Sequence, residues 1–62
     1  MPLIEAKIWP GRTAEQKAHL AQKLIDATIE AMNVPPPSVR VIIYEVPKEN
    51  WAAGGEGNAA KA

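Results

Sequence analysis

The chain has 62 residues, 47% of them hydrophobic, with seven Lys+Arg against seven Asp+Glu and a formal net charge of zero. That balance argues against a nucleic-acid-binding module, which carries a basic excess on one face. The absence of cysteine rules out disulfides and thiolate zinc sites. A chain this short buries only about 60% of the surface its unfolded form exposes, and His19 is its single histidine, so oligomerisation is the remaining way to stabilise it. No apolar run reaches the roughly 20 residues that cross a bilayer, and no signal-peptide pattern is present. The expectation is therefore one cytoplasmic domain, 1–62, with Met1 removed and residues 59–62 frayed.

In chain order, Leu3 to Ile8 alternates as a strand, with Ile4, Ala6 and Ile8 on one face and Leu3, Glu5 and Lys7 on the other. Pro2 precedes it, where a missing N–H costs no ladder bond. Trp9-Pro10-Gly11-Arg12 marks a turn. Thr13-Ala14-Glu15-Gln16 is a capping box, and the run to about Met32 is rich in good helix formers. Glu15, His19, Gln22, Lys23, Asp26 and Glu30 share a polar face. The apolar remainder covers about 200°, wider than the ~100° stripe needed against one core, so one flank calls for a second partner. Lys17 lies inside that arc and can extend its ammonium outward. Asn33 suits a left-handed C-cap and Pro35-Pro36-Pro37 ends the helix.

Ser38 to Val46 is β-branched and almost continuously apolar, as in a strand covered on both faces. Strand, helix, strand with this spacing predicts a βαβ unit with parallel strands, an α/β (α+β) subunit. Pro47, Asn50 and the glycine-rich run from Ala52 to Asn58 predict a turn and a short C-terminal hairpin. A lone βαβ unit exposes two strand edges, so a symmetric dimer sharing a four-stranded sheet is expected.

The chemistry begins at Pro2. Trimming of Met1 would leave a secondary amine; an α-amino group titrates near 8, and an apolar pocket beside arginines would lower that value. Such a base suits proton transfer next to a carbonyl. Arg12 and Arg40 offer guanidinium forks for a carboxylate and for charge developing on a substrate oxygen. In parallel strands Pro2 and Arg40 lie at the same sheet end, whereas Arg12 follows the far end of the first strand, some 20 Å away. For Arg12 to serve the same site it must come from a neighbouring chain. Trp9 and Trp51 are the only tryptophans, and each can wall an apolar pocket. Taken singly, Pro2 is also an ordinary strand start, each arginine an ordinary ion-pairing residue, and each tryptophan an interface plug. His19 reads as solvated. The Gly54-Gly55-Glu56-Gly57 run lacks the Lys and the following helix of a phosphate loop.

Together these residues closely resemble the 4-oxalocrotonate tautomerase family of the tautomerase superfamily. The resemblance runs from Pro2 to about Gly55 through Met1-Pro2, Gly11-Arg12, Glu15-Gln16-Lys17, Ser38-Val39-Arg40-Val41-Ile42-Ile43, Glu45, Lys48, Trp51 and Gly54-Gly55. It implies a hexamer built as a trimer of dimers that works without a cofactor; the composition, charge and hydropathy add the expectation of no metal and no nucleic-acid or membrane partner. It implies keto–enol isomerisation of a small carboxylate such as 2-hydroxymuconate, with Pro2 as general base. Arg12 would hold the remote carboxylate, Arg40 the 2-hydroxy or 2-oxo end, and Trp51 would stand where the best-known members have Phe. Trp9 replaces a usually aliphatic pocket residue, a departure that bears on substrate size. The alternatives are superfamily hydratases, dehalogenases or decarboxylases, and a non-catalytic assembly subunit if Met1 is retained. A dehalogenase would need a carboxylate near Ala53, which this chain lacks.

Overall fold

Strand β1, Leu3–Ile8, leads into helix α1, Ala14–Met32, and the chain returns through strand β2, Arg40–Glu45, in a computed structural model that describes residues 1–54 and the backbone of Gly57–Asn58. The strands pair in parallel, Leu3 opposite Arg40 and Ile8 opposite Glu45. Two short strands follow, β3 at Ala52–Ala53 and β4 at Gly57–Asn58, paired antiparallel as the expected hairpin. The expectation for residues 59–62 lies outside the described residues.

Local chemistry sets the helix bounds. Thr13 Oγ1 accepts from the Gln16 backbone N–H at 3.1 Å, and Gln16 Oε1 accepts from the Thr13 N–H at 3.0 Å, so two donors that the first turn would orphan are satisfied. Asn33 closes the other end in the left-handed region, φ 53°, its N–H donating to the Ile29 carbonyl. Asn reaches that region at less cost than most residues because its short polar side chain bonds locally.

The helix lays Leu20, Ala21, Leu24, Ile25, Thr28 and Ile29 against the sheet, the spacing of a single helical stripe. The sheet answers with the half-buried Ile4, Ala6 and Ile8 of β1 and Val41 and Ile43 of β2. The polar residues expected on the far face are all exposed. Lys17 sits within the packed stripe, and its ammonium reaches Glu45 at 3.3 Å.

One expectation is corrected. The second strand does not run from Ser38 to Val46. Pro36–Ser38 form a 3₁₀ turn in which both the backbone N–H and the hydroxyl of Ser38 donate to the Pro35 carbonyl, which holds Ser38 out of the strand. Within one chain the outer face of β2 is open, as expected of a lone βαβ unit: Ile42 is 42% exposed, and Leu3 on the same face of β1 is 53% exposed. Among the described residues only Val39, 5% exposed, is fully enclosed. The second flank of the helix, with Ala18, Ala27, Ala31 and Met32, is likewise open. No helix among the described residues is long and apolar enough to cross a membrane.

Candidate active site

The expected residues divide between the two ends of the sheet. At the end where both strands begin, the Arg40 backbone N–H donates to the Pro2 carbonyl at 3.0 Å. Arg40 is exposed, and its guanidinium donates from Nη1 to the Pro37 carbonyl. Pro2 is half-buried, and Met1 before it is 87% exposed. With Met1 attached, the Pro2 nitrogen is a tertiary amide with no basic lone pair. Removing Met1 would disturb no packing, since that side chain rests on almost nothing.

The opposite end holds a cleft of about 680 Å³, lined by Ile8, Trp9, Pro10, Gly11, Arg12, Gln16, Leu20 and Trp51, with Lys7, Lys17 and Lys48. Its shape follows from the loop that joins β1 to α1. Gly11 has φ +117°, a conformation that L side chains rarely adopt, while a Cβ there would meet nothing within 4 Å. Backbone geometry rather than space therefore calls for glycine. This turn sets Trp9 and Arg12 on the cleft just before the capped helix.

The aromatic wall is a pair. The Trp9 and Trp51 rings meet edge to face, centroids 6.2 Å apart at 82°, the arrangement favoured by the positive edge and negative face of an indole. Lys48 comes from a second 3₁₀ turn, Lys48–Asn50, and its Nζ lies 4.7 Å from the Trp9 ring centroid. The Trp51 indole N–H is buried without an acceptor among the described residues.

Electrostatically the cleft is one-sided. It draws four cationic side chains, Lys7, Arg12, Lys17 and Lys48, and no acidic one, from a chain whose net charge is zero. The N-terminus of α1 adds partial positive charge nearby. Low-dielectric walls of indole and aliphatic carbon strengthen the field in such a cleft. The arrangement attracts a small anion with an apolar body.

Arg12, Trp9 and Trp51 thus come together, as do Pro2 and Arg40, but the two groups are separated by the length of β1, about 20 Å at ~3.3 Å per residue. Sequence reasoning assigned no site role to Lys7, Lys17 or Lys48. Lys48 follows Pro47 and precedes Trp51 in a turn-forming run, and that proximity to the tryptophan was the available signal.

Comparison with known proteins bears on this geometry. The sequence profile of a family described as Tautomerase enzyme matches residues 2–61. The 2-hydroxymuconate tautomerase of Pseudomonas putida is 44% identical over 55 residues, covering 89% of this chain and 87% of that protein. The 2-hydroxymuconate tautomerase of Comamonas testosteroni is 42% identical over 55 residues, with the same coverage of 89% and 87%. Among solved structures, the heterohexameric 4-oxalocrotonate tautomerase from Chloroflexus aurantiacus J-10-fl superposes with a TM-score of 0.88 at 43% identity, covering 98% of this chain and 97% of that one.

Proposed function

The chain belongs to the tautomerase family and is an isomerase of the 4-oxalocrotonate tautomerase kind, and on that footing we propose a proton transfer, free of any cofactor, with Pro2 as general base. The substrate class is a small 2-hydroxy dienoic acid such as 2-hydroxymuconate, the substrate that names the relatives from Pseudomonas putida and Comamonas testosteroni. Met1 is removed, and the neutral secondary amine of Pro2 takes the proton of the 2-hydroxyl group. The O–H electron pair becomes the carbonyl, the diene electrons shift along the chain, and the Pro2 ammonium returns the proton to a distant carbon. The product is the conjugated ketone, and the base is regenerated.

The observation that carries this reading is the register that sets Arg40 opposite Leu3 and bonds it to Pro2. In the assembled site the Arg40 guanidinium, carried on the residue whose backbone bonds Pro2, keeps the amine neutral, because a nearby positive charge disfavours protonation. It also stabilises negative charge as it develops on the substrate oxygen. Arg12 holds the remote carboxylate in the cleft at the other end, with Trp9 and Trp51 as the apolar wall.

Because the two groups lie at opposite ends of one subunit, the complete site is shared between subunits. A hexamer of this chain, built from three dimers, supplies the missing halves. It would also cover the exposed Leu3 and Ile42 and the open flank of α1, surface that a two-stranded unit cannot bury alone. The assembly works in the cytoplasm as a single-domain subunit.

The test is intact-mass measurement of the purified protein together with turnover of 2-hydroxymuconate and phenylenolpyruvate. A trimmed protein that isomerises either substrate, and loses about 100-fold or more in turnover as a trimmed Pro2→Ala variant, bears out the mechanism; a general base contributes typically ~10²–10⁴-fold. Full activity in that variant, or in protein that keeps Met1, would place the base elsewhere.

A further inference from the structure

The cleft contains a cation that the proposed mechanism does not use. Of the three lysines lining it, Lys17 is paired with Glu45 at 3.3 Å, and Lys7 leans toward the Tyr44 ring at 5.5 Å. Lys48 has no carboxylate partner among the described residues; its ammonium rests instead over the Trp9 indole, 4.7 Å from the centroid. A cation held by an aromatic face keeps its N–H donors, because the ring attracts the charge without accepting hydrogen bonds as a carboxylate would. The indole also limits the rotamer freedom of a long side chain, which lowers the entropy lost when the ammonium is engaged.

We propose that Lys48, positioned by Trp9, joins Arg12 as a second cation for the remote carboxylate and makes this site selective for dicarboxylates over monocarboxylates of the same carbon skeleton. The inference rests on the reading that this cleft holds the remote end of the substrate. It extends that reading by naming the residue that selects for the distal charge. Two cleft cations without a carboxylate partner among the described residues, Arg12 and Lys48, are more than a monocarboxylate engaged at the Pro2 end would need. An apolar distal end would leave Arg12 and Lys48 stripped of water and unpaired, a penalty that a second carboxylate removes. Trp9 contributes twice, as the flat wall for a conjugated chain and as the platform for the ammonium.

The probes are trans,trans-muconate and sorbate, six-carbon dienes that differ by a second carboxylate in place of a methyl group. Binding is read by intrinsic fluorescence, since the only two tryptophans, Trp9 and Trp51, both line the cleft. The assembled wild-type protein should bind muconate at least tenfold more tightly than sorbate. Lys48→Met should weaken muconate about tenfold and change sorbate less than about twofold, while Lys48→Arg keeps most of the preference, as expected of a charge-assisted contact. In turnover, Lys48→Met should raise KM for 2-hydroxymuconate with little change in kcat, the mark of binding energy spent equally on ground and transition states. Lys48 lies exposed in a short turn, and native mass measurement of each variant checks that the assembly is intact.

Equal losses for both probes, unchanged muconate binding in Lys48→Met, or a wild-type protein with no preference for muconate would each overturn the proposal. Because binding does not require turnover, the two readings separate. Selective muconate binding through Lys48 without isomerisation would refute the Pro2 mechanism alone, and isomerisation without Lys48-dependent selectivity would refute this inference alone.

Discussion

The Arg40 backbone N–H donates to the Pro2 carbonyl at 3.0 Å, so a main-chain bond, rather than a flexible side-chain contact, fixes the distance between the two residues. Main-chain pairing in a parallel ladder has little freedom to shift, since moving the register by one residue would turn every side chain of the strand to the other face. Arg40 is further held through its guanidinium by the Pro37 carbonyl. In the proposed mechanism, this sets Pro2 and Arg40 in place before substrate arrives, which lets a charged group stabilise a developing charge without reorganising.

From that preorganisation, Arg40→Ala should reduce kcat by about 10²–10³-fold, the usual cost of removing a group that stabilises developing charge, and should raise KM as well. Steady-state kinetics on 2-hydroxymuconate measure both. A rise in KM with kcat unchanged would mean that Arg40 only binds substrate and takes no part in the transition state.

The outer sheet face carries a separate titration. The Tyr44 hydroxyl donates to Glu5 Oε2 at 3.0 Å, and Tyr44 is the chain's one tyrosine. The hydrogen bond to Glu5, then the carboxylate's negative charge, raise the phenol above its ordinary value of 10.0. A raised value means that the folded state favours the neutral phenol. The stabilisation is full below the ordinary phenol range and fades as pH rises through the elevated midpoint. Absorbance titration of tyrosinate should give a midpoint above 10.0, and Glu5→Gln should bring it back down. An unshifted midpoint in the native protein would show that the pair does not form in solution.

What could be read from the sequence was what short-range chemistry dictates. Thr13 and Gln16 satisfy each other three residues apart, and Asn33 needs only its own backbone to adopt φ 53°; both helix ends were therefore legible. Ile4, Ala6 and Ile8 alternate on β1 and end up half-buried, because a period of two has one physical reading. Ser38 was not legible as a turn residue, since its apolar neighbours suit a strand and only the proline run that bends the chain back to the Pro35 carbonyl removes it. The separation of the candidate residues was foreseeable from Pro2 and Arg12 lying at opposite ends of one strand. The cationic lining was not. Lys17 lines the cleft only because α1 crosses the sheet where Glu45 ends β2, and Lys48 only because the turn at 48–50 folds it onto Trp9. Both depend on packing between elements distant in sequence.

The proposed sharing of the site between subunits makes a prediction of its own. If Pro2 of one subunit works with Arg12 of a neighbour, a Pro2→Ala subunit still supplies an intact Arg12, and an Arg12→Ala subunit still supplies an intact Pro2. Co-assembling the two variants then builds some sites in which both residues are native. Mixed assemblies formed by co-expression or by joint refolding should turn over 2-hydroxymuconate well above the average of the two parent variants, and the excess should track the mixed fraction counted by native mass spectrometry. Separately assembled variants, mixed without subunit exchange, supply the control and should show only that average. The strands allow no closer approach within one subunit, because β1 is six residues long and holds its two ends apart. Mixed assemblies no more active than their parents would mean that each subunit completes its own site, and Arg12 would then have no part in holding the substrate on which Pro2 acts.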